Sequence, residues 1–146
     1  MSPISLRPWS RAPGPVLAAL ACCAWLMTTP APSLAGDTTP AAELARFQAE
    51  AGAPADAARG QRLFTQTHGR EWSCASCHGE PPTRAGRHAS TGKSIAPLAP
   101  AANPEALTER ARLDKWFRRN CGEVLGRACT AAEKADVLAY LTRLRP

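Results

Sequence analysis

The sequence is poor in methionine and in long apolar runs. Its two methionines, Met1 and Met27, lie near the N-terminus, so residues 28–146 contain no thioether that could bind a metal ion. The longest apolar stretch, residues 15–27, has about thirteen residues, whereas a membrane-spanning helix needs roughly 20. The net charge of +6 is modest for 146 residues and forms no cationic stripe of the kind found in nucleic-acid-binding domains. We therefore expect neither a membrane-spanning protein nor a nucleic-acid partner.

The N-terminal segment has the pattern of a secretory signal peptide. Arg7 and Arg11 provide a positive region, the apolar stretch follows, and small residues at positions 33–35 form a cleavage site. We expect residues 1–35 to be removed and residues 36–146 to form a single domain in the periplasm. An uncleaved N-terminal anchor is the alternative.

Apolar periodicity and capping residues predict four helices and no strand in the mature chain. The predicted helices span residues 40–51, about 56–65, 108 to about 124, and 130 to near the C-terminus. The third is expected to bury Leu113, Trp116 and Phe117, and the last to bury Val137, Leu138, Leu141 and Leu144. Residues 68–103 are rich in glycine and proline and are predicted to be irregular, which is unusual in a compact domain unless the segment wraps a bound group. The predicted fold class is all-α with one long irregular loop.

Cys74-Ala-Ser-Cys77-His78 has the C-x-x-C-H spacing by which proteins attach haem covalently. Two thiols add to the two vinyl groups of haem c, and the histidine that follows binds the iron. A zinc site would need a second pair of ligands, and a thioredoxin-like redox pair would need a βαβ context. A disulfide across two residues would be strained. We therefore predict one haem held by Cys74, Cys77 and His78, with His78 as an iron ligand.

A second pair of cysteines, Cys121 and Cys129, remains after cleavage of the signal peptide. In an oxidising compartment these two residues are expected to form a disulfide. The role of this disulfide is open, because it would serve either as a simple staple between the last two helices or as a brace for the backbone beside Asn120.

The residues themselves do not decide the second axial ligand of the iron. Methionine is excluded, which leaves His68, His88, Lys93, Asn120 or an open coordination position. His68 is close to the haem motif in sequence, and His88 lies in the loop rich in glycine and proline. Asparagine is a rare iron ligand, so these alternatives remain open at this point.

Several segments resemble the sphaeroides haem protein family, over a region from about residue 60 to the C-terminus. They are WSCASCH (72–78), TGK (91–93), IAPLAPAANP (95–104), KWFRRNC (115–121), LGRACT (125–130) and EKADVL (133–138). The resemblance implies a class I cytochrome c fold, in which the helices that carry Gly60, Phe64 and Tyr140 cross. It also implies that Asn120 is the distal iron ligand and that the Cys121–Cys129 disulfide lies beside it.

The resemblance has further implications for function. Asn120 would leave the iron on reduction, so that the ferrous haem could bind diatomic ligands such as O2, NO or CO. The implied partners are redox proteins, namely a dihaem cytochrome c and a membrane b-type cytochrome. We therefore expect an electron-transfer protein that binds small ligands, and not an enzyme. The alternatives are a plain six-coordinate electron carrier with a distal histidine such as His88, and a small haem reductase or peroxidase.

Overall fold

Five α-helices and one β-hairpin make up residues 36–146, the part of the chain that this computed structural model describes. The helices are α1 (Pro40–Ala51), α2 (Ala57–Thr65), α3 (Cys74–His78), α4 (Arg110–Leu125) and α5 (Ala131–Arg143), and the antiparallel strands are β1 (Gly86–Arg87) and β2 (Ser94–Ile95). The predicted all-α fold class is confirmed, with a hairpin of two-residue strands as a small addition. The predicted signal peptide, residues 1–35, lies outside the described residues. Within the described part, no helix is long and apolar enough to cross a membrane.

The helix ends follow from local capping chemistry. The Thr39 side chain accepts a hydrogen bond from an N–H of the first turn of α1, and Gly52 ends that helix with a φ of +64°. Asp56 caps α2 in the same way, while Thr130 and Glu133 form a capping box at the start of α5. These ends lie within one or two residues of the sequence predictions, because each is set by side chains that are adjacent in sequence.

The helix α5 forms the centre of the core, because it packs against both α1 and α2. All seven residues from 135 to 141 are buried, so this part of α5 has no solvent-facing stripe. At Gly60, α2 crosses α5 so closely that a side chain would collide with the Asp136 backbone. Beyond this crossing, the rings of Phe64 and Tyr140 pack with their centroids 5.6 Å apart. This is the helix crossing that the class I cytochrome c fold predicts.

A buried carboxylate, Glu43, connects α1 to the start of α4. Its fully buried side chain accepts hydrogen bonds from the Thr38 hydroxyl (2.7 Å) and from the guanidinium groups of Arg46 (2.7 Å) and Arg110 (2.8 Å). Burial opposes ionisation of Glu43, but hydrogen bonds from Arg110, Thr38 and Arg46 outweigh burial and lower its pKa. The charge is therefore retained in the core because it is fully hydrogen-bonded.

A second buried carboxylate, Asp136, holds the start of α2 against α5. Its oxygens accept hydrogen bonds from the Asp56 N–H (2.6 Å) and from Arg59 at 2.8 and 3.0 Å. The same residue contributes the backbone that contacts Gly60. One position of α5 therefore fixes both the beginning and the middle of α2.

The segment predicted to be irregular, residues 68–103, contains α3 and the hairpin. The helix α3 begins with a capping box in which Ser73 and Ser76 bond each other's backbone, with serine in the place where glutamate or glutamine is usual. The chain then returns across the motif, where Pro82 is fully buried and its carbonyl accepts hydrogen bonds from both Leu98 and Ala99 (3.1 Å each). The loop is thus ordered by contacts within itself.

Candidate haem site

The helix α3 brings together the three residues of the predicted haem motif. Cys74 and Cys77 lie three residues apart on one helix and therefore share a face. Both are free thiols and partly buried. Burial raises the pKa of Cys74 to about 11, so its thiol is neutral. The Cys77 sulfur accepts a hydrogen bond from the Ala89 N–H at 3.3 Å, which ties the hairpin to the motif.

His78 ends α3 and packs against the core. Its ring lies 6.2 Å, centroid to centroid, from the Phe64 ring. Burial lowers the pKa of His78, which favours the neutral imidazole that metals bind. Its Nδ1 atom is buried and has no hydrogen-bond partner within the described residues. Such an orphaned atom is unusual in a protein interior and indicates that the ring has a role other than packing.

The hairpin holds His88 in a hydrogen bond of its own. The Nδ1 atom of His88 accepts the Thr91 N–H at 3.3 Å, because a backbone N–H can only donate. A neutral ring then carries its proton on Nε2, which leaves no lone pair there for a metal ion. The hairpin lies beside α3, where Gly86 packs so closely on the Cys77 carbonyl that a Cβ would overlap it.

The other two candidate ligands from this region are also placed. His68 donates from Nε2 to the Leu63 carbonyl at 2.9 Å, since a carbonyl can only accept, so only its Nδ1 atom has a lone pair that could bind a metal ion. Lys93 is exposed to solvent.

Asn120 lies in the middle of the inward stripe of α4. Leu113, Phe117, Asn120 and Val124 are spaced by four, three and four residues and so share one face of the helix. Leu113 and Val124 are buried, while Phe117 and Asn120 are partly buried. The Asn120 amide makes no side-chain hydrogen bond within the described residues. Asn120 is thus a polar residue on an apolar face, and its side-chain N–H groups and oxygen form no hydrogen bond to the described residues.

The sulfur atoms of Cys121 and Cys129 are joined in the structure, with their Cα atoms 5.6 Å apart. Cys121 is buried in α4 directly after Asn120, and Cys129 lies just before α5. The link therefore holds the last turn of α4 close to the start of α5. Between the two cysteines, Arg127 forms two hydrogen bonds to the Glu133 carboxylate, at 2.6 and 2.8 Å.

We expect the stabilisation from this ion pair to be lost as the pH falls into the acid range. The hydrogen bonds from Arg127 lower the pKa of Glu133 from its ordinary 4.5 to about 2, although burial opposes this shift. A folded-state pKa below the unfolded value means stabilisation that is complete above pH 4.5 and lost as the pH falls towards 2. Because Arg127 is half exposed, solvent screening reduces the contribution to about 1 kcal/mol.

Thermal melting of the holoprotein between pH 7 and pH 3 tests this prediction. Glu133→Gln should lower the melting temperature at pH 7, and the difference from the wild type should shrink as the pH falls below 4.5. Glu50→Gln is the matched control, because Glu50 is exposed and forms no ion pair within the described residues. A Glu133→Gln difference that is the same at pH 7 and pH 3 would contradict the assignment.

The protein packing around the motif fits a covalently held, flat apolar group. The Cys74 and Cys77 sulfur atoms and the His78 imidazole all lie on one short helix. The prediction that the protein buries Trp116 is wrong: its side chain is 41% exposed, while Leu113 is buried as predicted. Trp116 lies on the flank of the stripe that contains Asn120, so a haem covering this side of α4 would supply the apolar contact that protein atoms do not.

The fold and the site define a c-type cytochrome with one covalent haem c, whose iron is part of the cofactor. The class follows from the crossing of α2 and α5 and from the thiol and imidazole groups of α3.

The chain belongs to the sphaeroides haem protein family. It is 57% identical over 114 residues to the cytochrome c-type protein SHP of Cereibacter sphaeroides, over 75% of this chain and 88% of that protein. The structure of oxidised SHP, described as an oxygen-binding cytochrome c, matches with a TM-score of 0.70 and 52% identity, over 75% of this chain and 100% of that one. Residues 50–141 also match the family model described as a domain of unknown function, DUF1924.

A more distant relative is cytochrome c'' of Methylophilus methylotrophus. The crystal structure of its oxidised form matches with a TM-score of 0.66 and 28% identity, over 73% of this chain and 95% of that one. Its solution structure, described as giving insight into haem-ligand detachment, matches with a TM-score of 0.63.

Proposed function

We propose that this protein is a periplasmic electron-transfer cytochrome whose distal ligand, Asn120, leaves the iron on reduction and lets a diatomic ligand bind. In this proposal Cys74 and Cys77 attach the haem and His78 is the permanent axial ligand. The haem supplies a one-electron Fe(III)/Fe(II) couple and, when ferrous, an affinity for O2, NO or CO. In this proposal, the feature that distinguishes the protein from a plain electron carrier is its releasable distal iron ligand, Asn120.

The observation that carries the proposal is the uncommitted amide of Asn120 on the inward stripe of α4. The amide of Asn120 is only partly buried, and its oxygen and nitrogen are free to bind a group that lies against this stripe. Each competing histidine has one ring nitrogen in a hydrogen bond, Nδ1 of His88 with the Thr91 N–H and Nε2 of His68 with the Leu63 carbonyl, whereas the Asn120 amide forms no hydrogen bond to the described residues. The name of one relative supports the ligand-binding part of the proposal, because SHP is described as an oxygen-binding cytochrome c.

The chemistry of an amide oxygen gives the proposed switch its direction. This oxygen is a hard, neutral donor and suits Fe(III) better than the softer Fe(II). Asn120 would therefore bind in the ferric protein and be released in the ferrous protein. Its freed side-chain N–H groups could then donate a hydrogen bond to a bound oxygen atom. The adjacent Cys121–Cys129 disulfide would keep the backbone of Asn120 in place through both states.

The proposal includes a location and partners. The pattern of residues 1–35 supports export through a signal peptide, and a disulfide suits an oxidising compartment. Family resemblance suggests a dihaem cytochrome c and a membrane b-type cytochrome as redox partners, besides the diatomic gases.

Adding CO to the dithionite-reduced protein is the direct test. We expect the ferrous spectrum to be five-coordinate and to change on adding one equivalent of CO, whereas CO leaves the ferric spectrum unchanged. A low-spin, six-coordinate ferrous spectrum that is indifferent to CO would favour the plain carrier with a distal histidine. Turnover of hydrogen peroxide or nitrite at a rate that depends on the protein would favour the reductase or peroxidase.

A further inference from the structure

The outward face of α4 differs in character from its inward stripe. Ala111, Lys115, Arg118 and Gly122 repeat the spacing of the inward stripe two residues out of phase, which places them about 200° around the helix. Ala111, Lys115 and Arg118 are exposed, and Gly122 is partly so. Arg119 is also exposed and flanks this face. The outward face therefore consists of exposed cationic side chains with only alanine and glycine beside them.

The cations of this face are not neutralised by the protein. Lys115, Arg118 and Arg119 form no ion pair within the described residues, whereas Asp114 of the same helix is already paired with Arg46 (2.8 Å). No carboxylate lies between Lys115 and Arg119 on the outward side. Three like charges within five residues repel one another, so this arrangement costs stability and calls for another explanation.

A groove adjoins the outward face at Arg118. It has a volume of about 370 Å³ and lies between α1, α4 and the start of α5. Its cationic lining comes from Arg46, Arg118 and Lys134, and its acidic lining from Glu50 and Asp114. Since Arg46 is paired with Asp114, Arg118 and Lys134 are the lining cations that remain available within the described residues. An acidic side chain could enter the groove between them.

We propose that the outward face of α4, with Lys115 and Arg118 at its centre, is the docking surface for an acidic redox protein that donates one electron. The electron would pass from the cofactor of that protein to the iron, which changes from ferric to ferrous. The partner would then lie across a single helix, about 10 Å thick, from Asn120. The inference rests on the proposed electron-transfer role and adds the route by which the partner approaches.

A protein surface suits this face better than a membrane surface. Membrane-binding helices insert large apolar side chains between lipids, and the outward stripe contains only alanine and glycine besides its cations. The large apolar residues of α4 belong to its inward stripe and its flank. Exposed cations on a rigid helix instead steer an acidic protein into contact and fix its orientation.

The test is the rate at which reduced flavodoxin, an acidic one-electron donor, reduces the ferric holoprotein in a stopped-flow experiment. Lys115→Glu with Arg118→Glu should slow this reduction at least about tenfold at an ionic strength of roughly 20 mM, and the effect should shrink to less than about twofold near 0.5 M. Titration with oxidised flavodoxin should show a matching loss of affinity. Reduction by dithionite and the CO response should be unchanged, which separates this inference from the proposed function.

The matched control is the double variant Arg84→Glu with Lys93→Glu, which reverses the charge of two exposed cations next to β1 and β2. It changes the net charge by the same amount. It should alter the rate by less than about twofold. An equal effect of the two double variants would mean that net charge alone matters, and a larger effect of the control would place docking at the hairpin. Either result overturns the proposal. A third contrary result would be that the wild type binds phosphatidylglycerol vesicles at 0.15 M salt and that the Lys115→Glu, Arg118→Glu variant does not.

Discussion

Replacing Asn120 by alanine is expected to convert the ferric iron from a form with an amide distal ligand to a form with water or no distal ligand. The methyl group of alanine cannot bind iron, and the inward stripe offers no other oxygen or nitrogen donor between Phe117 and Val124 apart from position 120. The ferrous spectrum should change little, because Asn120 is already released in that state. Optical and electron paramagnetic resonance spectra of the holoprotein measure this directly.

The same substitution should raise the midpoint potential. A ligand that prefers ferric iron tenfold to a hundredfold lowers the potential of a one-electron couple by about 60–120 mV, so its loss raises the potential by that amount. His88→Ala is the matched control and should leave both spectra and potential unchanged. An unchanged ferric spectrum in Asn120→Ala, or a changed ferric spectrum in His88→Ala, would remove Asn120 from the role of distal ligand.

Replacing Gly60 by alanine is expected to prevent the holoprotein from accumulating in folded form. The added Cβ would overlap the carbonyl of Asp136 and the nitrogen of Val137, and all three obstructing atoms belong to the backbone of the central helix. Relief requires α2 and α5 to separate, which would open the contact between Phe64 and Tyr140 as well. We expect a loss of at least about 3 kcal/mol, in the range of severe core disruptions. The yield of haem-containing protein and urea unfolding followed by circular dichroism measure it.

Gly122→Ala in α4 is the matched control for that substitution. Among the described residues, a Cβ at Gly122 would meet no atom within 4 Å apart from its chain neighbours and the backbone of its own helix turn, so alanine should gain up to about 1 kcal/mol from its better helix propensity. Gly52→Ala should have an intermediate effect on the free energy of unfolding. The structure leaves room for a Cβ there, but the φ of +64° disfavours a side chain by about 1 kcal/mol. If Gly60→Ala were as stable as the wild type, the close crossing of α2 and α5 would be wrong.

Local chemistry explains which parts of the fold can be predicted from sequence. Thr39, Asp56 and Thr130 each act on N–H groups two or three residues away, so the starts of α1, α2 and α5 are visible in the sequence. The start of α4 is less distinct, because its N-cap residue, Glu109, makes no side-chain capping bond. The helix α3 escaped prediction, because two serines form its capping box in a region dominated by glycine and proline.

Long-range contacts explain what the sequence does not reveal. Nothing near Glu43 predicts that Arg110, which is 67 residues away, completes the hydrogen bonds of its buried carboxylate. The pairing of Asp136 with Arg59 spans 77 residues and is equally hidden. For the same reason α5 is buried all round over residues 135–141, although its sequence predicts a one-sided apolar stripe.

The candidate site also combines features that are visible in the local sequence with features that only the folded structure shows. The motif at Cys74, Cys77 and His78 is a local pattern and is recognised at once. The distal side depends on how α4 is rotated, and only the structure shows that the face shared by Asn120, Leu113 and Val124 is turned inward.

The link between Cys121 and Cys129 has a kinetic consequence for the proposed switch. Because Cys121 is buried and covalently tied to Cys129, two residues before α5, we expect the backbone next to Asn120 to stay in place when the iron changes oxidation state. The motion left to Asn120 is rotation about its own side-chain bonds, which takes picoseconds to nanoseconds rather than the microseconds to milliseconds of helix movements. Ligand binding after rapid photoreduction should therefore follow a single phase, proportional to gas concentration, with no slow conformational step ahead of it.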